Sequence, residues 1–507
     1  MKLKKIVEKL NSVKKIEGKA SVEIMGLACD SNKVKKEYLF VAIKGSRFNG
    51  VDFINEAIDR GACAIILELN TPIMTLKKGP TYIYVNDAKR ALGLASRAFY
   101  GDISSNMRLI GVTGTNGKTT ITYLLESLLN IKSEKAGIIG TINYRFGNRV
   151  MPALNTTPGV LDLYSLLHSM EKLGIKNCIL EASSHSLEQG RLDTLQFDIA
   201  VFTNLTNEHL DYHGTLENYL ASKMKLFTKI KKGGYAVVNR DDTHSGKIIQ
   251  HVKSDKDINL ITYGVNPERS LRIKQEADLY AEDIKSSFDG LRFKLCTRNN
   301  SIEIHSSLIG RHNVYNILAC ASCGIGMGMS LSEIARGIES ISALPGRLER
   351  VNCGQPFSVF IDYAHTENGL ENVLEALRGL KPKRILTVFG CGGDRDRSKR
   401  PKMGRISSEL SDKTFITSDN PRNEDPMNII NEIKKGITCA GDNYVIEPDR
   451  FKAIDLALKE AKRGDIVLVA GKGHETYQIF KDVVVPFADK EVVRRILGQD
   501  HMLTKRG

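Results

Sequence analysis

The chain has 507 residues, of which 41% are hydrophobic and 26% charged, and its formal net charge at pH 7 is +14. This length exceeds what one hydrophobic core organises, and the composition excludes a disordered or fibrous protein. The lysines are spread along the chain without interleaved aromatic residues, so we expect no nucleic acid partner. The positive charge favours anionic small substrates instead.

The N-terminus and the cysteines indicate a reducing compartment. After Met1, charged residues alternate with single apolar residues, so no signal peptide is predicted, and no apolar run reaches transmembrane length. The nine cysteines are scattered, and the Cys-x-x-Cys pair Cys320 and Cys323 lies in an apolar stretch without a second pair at zinc spacing. We expect a cytoplasmic protein without membrane insertion, with these two cysteines buried in a helix.

Short apolar runs that alternate with helical patterns predict an α/β protein of three domains, residues 1–105, 106–344 and 345–507. The first is predicted as a small α/β domain, the second as a mainly parallel sheet, and the third as an open, doubly wound, Rossmann-like sheet. The strand-like runs are Tyr38–Ile43, Ala62–Leu67, Tyr82–Val85, Leu109–Val112, Cys178–Leu180, Phe197–Phe202, Tyr235–Val238, Leu260–Tyr263, Ser358–Ile361, Arg384–Phe389, Thr414–Thr417, Tyr444–Ile446 and Ile466–Val469. Ligands of such sheets bind beyond the carboxyl ends of the strands, so we expect the chemistry there.

A glycine-rich loop, Gly111-Val-Thr-Gly-Thr-Asn-Gly-Lys-Thr-Thr, follows the run that begins at Leu109, and we call it the phosphate loop. After it, apolar residues recur at helical spacing at Ile121, Leu124, Leu125, Leu128 and Leu129. This strand, loop and helix order aims backbone N–H groups at an anion, while Lys118 adds a charge and Thr119 can ligate magnesium. The strict Walker A spacing requires a glycine where this chain has Val112, and a simple tight turn is the alternative. We predict a site for a magnesium nucleoside triphosphate. The predicted contacts in the loop are Gly114, Thr115, Asn116, Gly117, Lys118, Thr119 and Thr120.

Further motifs follow the loop in an order typical of one family. They are Asn155-Thr-Thr-Pro, Glu181-Ala-Ser-Ser-His, Asn204-Leu-Thr-Asn-Glu-His-Leu-Asp-Tyr-His, Gly310-Arg-His-Asn, Pro345-Gly-Arg-Leu-Glu, Ile361-Asp-Tyr-Ala-His, Gly390-Cys-Gly-Gly-Asp-Arg-Asp, Asp419-Asn-Pro-Arg and Gly471-Lys-Gly-His-Glu. Over nearly its whole length the chain resembles the Mur ligases. The resemblance implies amide formation, in which ATP phosphorylates a carboxylate, an amine attacks the acyl phosphate, and ADP and phosphate leave.

The resemblance also implies roles for single residues. Lys118, Glu181, His209 and Lys223 are the implied catalytic residues, and Thr119, Glu181, His209 and Lys223 serve the Mg²⁺ ions. The resemblance implies that Lys223 ligates Mg²⁺ after it has taken up carbon dioxide as a carbamate (N6-carboxylysine). The alternative interpretation is an ordinary surface lysine, as at the nearby Lys225. Taken alone, Glu181 would be a strand-end cap and His209 a helix residue. Further ATP contacts are implied at Asn313, Arg347 and Asp362, with Arg347 arriving from the C-terminal domain.

About 105 residues precede the phosphate loop, more than in the related folylpolyglutamate synthetases, which lack a UDP-binding domain. Cys29-Asp-Ser-Asn and Leu39-Phe-Val-Ala-Ile-Lys-Gly resemble the N-terminal signature of the third ligase of the pathway, although Asn32 stands where that branch usually has arginine. The resemblance implies UDP contacts at Ser31, Ser46, Arg47 and Phe48. It implies muramoyl-dipeptide contacts at Asn155, Thr156, Thr157, Ser183, Gln189 and Arg191.

Asp419-Asn420-Pro421-Arg422 bears on the amine substrate. A turn after a strand would need the first three residues but not Arg422. Diaminopimelate differs from lysine by a second carboxylate, which an arginine grips bidentately. By resemblance Arg395, Gly471 and Glu475 complete the pocket. We expect a monomeric ligase that adds meso-diaminopimelate to UDP-N-acetylmuramoyl-L-alanyl-D-glutamate in peptidoglycan synthesis; the alternatives are a lysine-adding ligase of the same branch and a silent nucleotide-binding regulator.

Overall fold

The computed structural model describes residues 1–45, 48–71, 76–265, 277–438 and 443–504, and it gives side chains as far as residue 498. Within these ranges the chain forms three main sheets flanked by helices and one two-stranded hairpin. Each main sheet draws its strands from one continuous part of the chain, so the predicted α/β architecture of three domains is confirmed. The boundaries after residues 105 and 344 stay a prediction.

The N-terminal part folds into a five-stranded sheet with helices on both faces. Its elements are α1 (Leu3–Val7), β1 (Val13–Glu17), β2 (Gly26–Ala28), β3 (Tyr38–Val41), α2 (Ile54–Asp59), β4 (Ala62–Glu68), β5 (Thr81–Val85), α3 (Ala88–Tyr100) and α4 (Ile103–Asn106). The strand order is β1-β5-β4-β3-β2. Strands β2 to β5 are parallel to one another, and β1 pairs with β5 in the antiparallel direction. Leu39 and Val41 face one core and Phe40 the other, because successive residues of a strand point to opposite faces.

The middle part contains an eleven-stranded sheet. Its elements are β6 (Arg108–Thr113), α5 (Lys118–Ile131), β7 (Ala136–Ile139), β8 (Asn143–Phe146), β9 (Arg149–Pro152), α6 (Val160–Lys172), β10 (Asn177–Glu181), α7 (Ser184–Glu188), β11 (Phe197–Phe202), α8 (Leu210–His213), α9 (Leu216–Met224), β12 (Ile230–Asn239), α10 (Ser245–Lys253), β13 (Asn259–Val265), β14 (Leu279–Ser287), β15 (Gly290–Thr297), β16 (Ser301–Ser306), α11 (Arg311–Gly326) and α12 (Leu331–Glu339). The order is β16-β15-β14-β13-β12-β11-β6-β10-β7-β8-β9, parallel from β14 to β7 and antiparallel towards both edges. The phosphate loop follows β6, and β6 lies between β10 and β11 in the sheet.

Two buried cores cover the faces of this sheet. Helices α5 and α11 pack on one face, with Ile121, Leu125 and Leu128 of α5 fully buried. Helices α6 and α9 pack on the other face through residues such as Tyr164 and Tyr219. The apolar spacing after the phosphate loop thus predicted the buried side of α5 correctly. Cys320 and Cys323 are free and buried in α11, as predicted.

The C-terminal part is the doubly wound sheet expected from the sequence. Its elements are β17 (Glu349–Val351), β18 (Ser358–Asp362), α13 (Glu367–Arg378), β19 (Ile385–Phe389), α14 (Lys399–Leu410), β20 (Lys413–Ile416), α15 (Pro426–Lys434), β21 (Tyr444–Ile446), α16 (Arg450–Glu460), β22 (Ile466–Ala470), β23 (Tyr477–Phe480), β24 (Val483–Pro486) and α17 (Asp489–Thr504). The main sheet has the order β17-β18-β22-β19-β20-β21 and is parallel except for β17, while β23 and β24 form the separate hairpin. Helices cover both faces. The loops after β18, β19, β20 and β22 consequently meet at one edge.

Each strand-like run predicted from the sequence overlaps an observed strand. None of the helices in the described ranges combines the length and the apolar character that crossing a membrane requires.

Candidate active site

The phosphate loop joins β6 to α5 at the carboxyl edge of the middle sheet. Gly114 and Gly117 have φ values of +146° and +90°, which residues with a side chain rarely adopt. A Cβ at Gly114 would lie 1.8 Å from Thr203 Oγ1, and one at Gly117 would lie 2.3 Å from Asn316 Oδ1. Lys118 begins α5, and its Nζ donates to the carbonyl oxygen of Gly114 at 2.9 Å. The loop thus directs a helix N-terminus and a cation at one point, which is the geometry of an anion site.

Two residues that follow β11 hold this loop in shape. Asn204 accepts from the backbone N–H of Asn116 through Oδ1 at 2.9 Å and from the N–H of Thr115 through its carbonyl oxygen at 2.8 Å. Thr203 Oγ1 donates to the carbonyl oxygen of Asn116 at 2.6 Å. These bonds preorganise the loop, which lowers the entropy lost when an anion binds.

A cavity of about 640 Å³ opens at the phosphate loop between the middle and C-terminal parts, and we call it the interdomain cavity. Its lining includes most residues predicted for ATP and metal binding, namely Thr115, Asn116, Gly117, Lys118, Thr119, Thr120, Glu181, His209, Asn313, Arg347 and Asp362. Of the residues predicted for the muramoyl dipeptide, Thr156 alone belongs to the lining, and Gly114 and Lys223 lie outside it. The structure therefore brings residues from seven motifs to one space.

Glu181 ends β10 and directs its carboxylate at Thr141, which follows β7. Glu181 Oε1 accepts from the backbone N–H of Thr141 at 3.1 Å, and Oε2 accepts from the Thr141 hydroxyl at 2.8 Å. The Thr141 hydroxyl also lies 3.1 Å from that of Thr156. Since Glu181 is 1% exposed, these bonds orient a buried carboxylate at the wall of the cavity.

A charged cluster follows β11. His209 has a left-handed backbone (φ +57°) at the start of α8, and its Nε2 lies 3.8 Å from Glu208 Oε1. Burial lowers the pKa of His209, and Glu208 opposes that effect. Burial would raise the pKa of Glu208, but His209, His365, Lys118 and Lys223 face it and lower its pKa overall. Glu208 is therefore an anion among cations and histidines.

Lys223 and Lys225 lie in contrasting environments at the end of α9. Lys223 is 1% exposed, and its Nζ lies 4.2 Å from the centroid of the Tyr219 ring. Burial lowers the pKa of Lys223 well below its usual value, and the charge of Lys118 acts in the same direction. Lys225 forms a solvent-exposed ion pair with Glu188 at 2.7 Å. Of the two, Lys223 is the lysine whose neutral amine is favoured.

Arg347 reaches the phosphate loop from the C-terminal part. Its Nη2 donates to Thr119 Oγ1 at 3.4 Å, its guanidinium lies 4.9 Å from the Tyr363 ring centroid, and its Nε is buried without a hydrogen-bond partner. Asp362 Oδ2 accepts from the backbone N–H of Leu348 at 2.7 Å. Burial raises the pKa of Asp362, although Arg347 opposes that effect. Asp362 thus fixes the turn that carries Arg347.

The wall of the cavity formed by α11 is polar. Asn313 Oδ1 accepts from Asn316 Nδ2 at 2.9 Å, and Asn313 Nδ2 donates to the carbonyl oxygen of Ile309 at 2.7 Å. Tyr315 donates its hydroxyl to Asp241 Oδ2 at 2.9 Å. This wall presents fixed amide and carboxylate groups next to the loop that binds anions.

The residues predicted for the dipeptide surround the carboxyl end of β10. Thr157 is fully buried; its hydroxyl donates to the carbonyl oxygen of Glu181 at 2.7 Å and accepts from the N–H of Ser183 at 3.1 Å. Arg191 donates from Nη1 to the carbonyl oxygen of Thr157 at 2.7 Å and from Nε to Gln189 Oε1 at 3.0 Å. Thr157 therefore supports the scaffold, whereas Gln189 and the neighbouring Asn155 side chain are exposed.

The residues predicted for UDP lie in the N-terminal part, outside the cavity lining. Ser31 is 4% exposed, and its hydroxyl donates to Glu56 Oε2 at 3.1 Å. Asn32, at the usual arginine position, accepts from Arg60 Nη2 at 3.1 Å. Phe48 is 70% exposed. The other two predicted residues, Ser46 and Arg47, lie outside the described residues.

Three loops meet at the carboxyl edge of the C-terminal sheet. Five residues of these loops form a group that we call the arginine cluster: Arg395, Asn420, Arg422, Lys472 and Glu475. Asn420 Nδ2 and Lys472 Nζ donate to Glu475 Oε2 at 2.9 and 2.8 Å. Arg422 donates from Nη1 to the carbonyl oxygen of Gly393 at 2.7 Å. Partial desolvation and the nearby Arg422 guanidinium lower the pKa of Arg395. One carboxylate and two guanidinium groups therefore share this edge.

The remaining predicted residues shape these loops. Gly471 has φ +110°, and a Cβ there would lie 2.8 Å from Asp419 Oδ2. Asp419 is 8% exposed, and its Oδ1 accepts from the backbone N–H of Asn420 at 2.6 Å. A Cβ on Gly393 would lie 1.8 Å from the carbonyl oxygen of Pro421. The close approach of the loops therefore depends on glycines.

Tyr363 lies between the interdomain cavity and the arginine cluster. Its ring centroid is 4.9 Å from that of His474. A Cβ on Gly473 would lie 2.7 Å from the Tyr363 Cβ, and one on Gly346 would lie 2.3 Å from the backbone nitrogen of His474. The turn after β22 and the turn that precedes Arg347 thus pack directly on each other.

The donor set suits a metal held jointly by protein and nucleotide. Across the described ranges, no three His, Cys, Asp or Glu side chains stand close enough to hold a metal ion. Mg²⁺ is commonly bound by one or two carboxylates together with substrate phosphates and water. The Thr119 hydroxyl and the Glu181 carboxylate line the cavity beside the phosphate loop and fit such a site.

Sequence reasoning missed several residues of this region: Thr141, Asn204, Glu208, Tyr363 and Lys472. All five follow a buried strand closely, and four of them stand inside motifs quoted above. Position after a strand was the signal available for them. Which side chain of a loop turns inward depends on loop geometry, and spacing alone does not carry that information.

Three family models match the chain: "Mur ligase family, catalytic domain" at residues 23–100, "Mur ligase middle domain" at 112–324 and "Mur ligase, glutamate ligase domain" at 346–473. A curated protein of Solibacter usitatus (strain Ellin6076) named UDP-N-acetylmuramoyl-L-alanyl-D-glutamate--2,6-diaminopimelate ligase is 46% identical over 482 residues, which cover 94% of each chain. A protein of the same name from Caldanaerobacter subterraneus subsp. tengcongensis is 41% identical and covers 98% of this chain and 99% of its own. A solved structure of a protein so named matches with a TM-score of 0.70 and 32% identity, and it covers 99% of each chain.

Proposed function

Because this chain belongs to the Mur ligase family, we propose that it is an ATP-dependent ligase that joins meso-diaminopimelate to the D-glutamate of UDP-N-acetylmuramoyl-L-alanyl-D-glutamate in peptidoglycan synthesis. The observation that carries the choice of amine is the proximity of Arg395 and Arg422: a Cβ on Gly392 would lie 2.9 Å from Arg422 Nη1 and 3.8 Å from Arg395 Cγ. A second carboxylate distinguishes diaminopimelate from lysine, and a guanidinium binds a carboxylate bidentately. Glu475 offers the opposite charge to an ammonium group of the same substrate.

The first half-reaction takes place at the interdomain cavity. The phosphate loop binds the triphosphate through its backbone N–H groups, while Lys118 and Arg347 bring positive charge to it from the middle and C-terminal parts. Magnesium, when bound, neutralises phosphate charge that would repel the attacking carboxylate. Glu181 and Thr119 would hold it. The D-glutamate carboxylate attacks the terminal phosphate, and ADP leaves.

In the second half-reaction the amine attacks the acyl phosphate and phosphate leaves. Arg422 and Arg395 orient the carboxylate end of diaminopimelate, and Lys472 and Asn420 hold Glu475 in place for the ammonium end. Tyr363 lines the cavity and packs against His474, the residue that precedes Glu475 of this cluster. Orientation of the amine at the acyl carbon is the main contribution that the C-terminal part makes to the rate.

A substrate panel tests the proposal. Purified protein with ATP and Mg²⁺ receives UDP-N-acetylmuramoyl-L-alanyl-D-glutamate and, in separate reactions, meso-, LL- and DD-diaminopimelate or L-lysine, and ADP release and product mass are measured. We expect turnover that needs both substrates and is highest with meso-diaminopimelate. Preference for L-lysine would support the lysine-adding alternative, and nucleotide binding without turnover in any mixture would support the silent regulator.

The proposal includes a carbamate on Lys223. Only a neutral amine adds carbon dioxide, and the burial of Lys223 beside Tyr219 favours the neutral form. The carbamate would replace a cation with an anion, so that Lys223 together with His209 could help to hold Mg²⁺. Lys223→Ala and Lys223→Arg are expected to lose activity, while Lys225→Ala keeps it. Full activity of Lys223→Ala, without any dependence of the wild type on bicarbonate, would contradict this role.

We also propose that the protein works in the cytoplasm as a monomer. Size-exclusion chromatography with light scattering tests the second statement: a mass near 56.3 kDa is expected. Twice that mass at micromolar concentration would contradict it.

A further inference from the structure

The β23–β24 hairpin follows Glu475 and is poorly anchored by apolar contacts. Val483 and Val484 are 60% and 62% exposed. None of the residues in the two strands belongs to a buried hydrophobic cluster of the C-terminal part. Gln478, at 5% exposure, is the one buried residue in the two strands. The attachment of the hairpin must therefore come from polar contacts.

Lys472 Nζ lies 5.5 Å from the Tyr477 ring centroid, and the hydrogen bonds described between the hairpin and the rest of the chain run to the segment Ser418–Arg422. Gln478 donates from Nε2 to the carbonyl oxygen of Asp419 at 2.8 Å, with the carbonyl oxygen of Ser418 at 3.5 Å. The N–H of Ile479 donates to Asn420 Oδ1 at 3.1 Å. The N–H of Arg422 donates to the carbonyl oxygen of Ile479 at 3.0 Å, and the N–H of Lys481 donates to that of Arg422 at 2.7 Å. The hairpin thus holds this segment from one end to the other.

Arg422 needs such support. Its φ is +52°, a left-handed conformation that is unfavourable for a residue with a Cβ. Both its N–H and its carbonyl oxygen are bonded to the hairpin, and its guanidinium is bonded to the carbonyl oxygen of Gly393 at 2.7 Å. The direction of the guanidinium is therefore fixed by a backbone that the hairpin maintains.

We infer that Gln478 is a positioning residue for selection of the amine: it anchors the hairpin to the Asp419–Arg422 segment and so aims Arg422 at the carboxylate of diaminopimelate. This inference rests on the proposed function. Gln478 donates to carbonyl oxygens of the chain and not to the substrate. Its effect should therefore fall on the amine and leave the nucleotide cavity untouched, since none of the hairpin residues lines that cavity.

Gln478→Met keeps the length of the side chain and removes the donor. We expect the KM for meso-diaminopimelate to rise about tenfold, the scale of one or two lost hydrogen bonds, and the preference over L-lysine to fall by a similar factor. The KM values for ATP and the UDP-linked dipeptide should stay within about twofold. Val484→Ser, on the exposed strand β24 of the same hairpin, is the matched control and should leave all three constants and the preference unchanged.

A merely structural role predicts a different result, in which all KM values rise together or only the melting temperature falls. Either result, or an unchanged preference in a folded variant, overturns the inference. If Gln478→Met does not fold, Gln478→Asn shortens the reach of the amide and is expected to raise the same KM about threefold; an unchanged KM there also overturns it. Failure of the wild type to use any diaminopimelate isomer would overturn the proposed function instead, so the two failures are distinguishable.

Discussion

The phosphate loop and the segment Asp419–Arg422 both follow buried parallel strands, yet they are held in different ways. The loop continues directly into α5, whose apolar side chains are buried in the core of the middle part. The other segment is followed by exposed chain and is held by hydrogen bonds to a hairpin that contributes no core residue. Besides the bonds from Thr203 and Asn204, the phosphate loop is supported by the packed helix that directly follows it, whereas the Asp419–Arg422 segment depends on a hairpin some sixty residues later in the chain.

The largest effect is expected from Lys118→Ala. This change removes the cation of the phosphate loop and should lower kcat on the order of 10²- to 10³-fold, as the loss of a transition-state donor does. The KM for diaminopimelate should be unaffected. Steady-state ADP release measures both constants, with Lys225→Ala as the control for a surface lysine. A loss below about tenfold would contradict the assigned role.

Arg422→Ala tests the Asp419–Arg422 segment, which is held by hydrogen bonds to the hairpin. The loss of a bond to a charged group, about 1.5 to 3 kcal/mol, should lower kcat/KM for meso-diaminopimelate about 10- to 150-fold. Use of L-lysine and the KM for ATP should change little. Arg397→Ala is the matched control, because Arg397 is an exposed arginine nearby that pairs with Glu432. Unchanged kinetics for Arg422→Ala would remove the basis for amine selection.

A smaller effect is expected where the two parts of the chain meet. Asn116 Nδ2 donates to Asn368 Oδ1 on α13 at 3.0 Å, which links the phosphate loop to the C-terminal part. Asn368→Ala should raise the KM for ATP about 2- to 12-fold, corresponding to about 0.5 to 1.5 kcal/mol. The preference among amines should not move. A change in that preference without a change in the KM for ATP would show that the two regions are not supported separately.

The smallest effect is expected for the stability of the protein at acidic pH, through His312 in the lining of the cavity. Burial, aided by Arg347, lowers the pKa of His312 to about 4 from an ordinary value near 6.5. The unfolded chain therefore binds more protons between these values, so stability is lost as the pH falls from about 6.5 towards 4. In His312→Gln the melting temperature should fall less between pH 7 and pH 5 than in the wild type, by about 2 to 4 °C. Equal falls in the two proteins would argue against this titration.

The same contrast explains what the sequence could predict of the fold. Central strand segments such as residues 199–202 of β11 and Ile466–Ala470 are buried on both faces and appear as continuous apolar runs. The edge strands β8 and β9 were not predicted, because Arg149–Pro152 is largely exposed and carries no such run. The hairpin β23–β24 was not predicted either, since its partners are carbonyl oxygens some sixty residues earlier in the chain.

The site divides in a similar way. The phosphate loop could be read from its glycines and the helix that follows, because the conformation of each glycine is a local property. The surroundings of Glu208 could not be read, since they combine Lys118, Lys223 and His365 from three distant segments. Lys472 was quoted within a motif, but its bond to Glu475 depends on the fold of a turn whose shape no spacing rule specifies.

The contact between the Gly346 turn and His474 has a consequence for how the C-terminal part can move. The turn bearing Gly346 lies against the backbone of His474 with no room for a single methyl group between them. Because these two turns pack without a gap, Arg347 and Glu475 are carried by one packed unit, and a movement of the C-terminal part towards the phosphate loop would carry the arginine cluster with it.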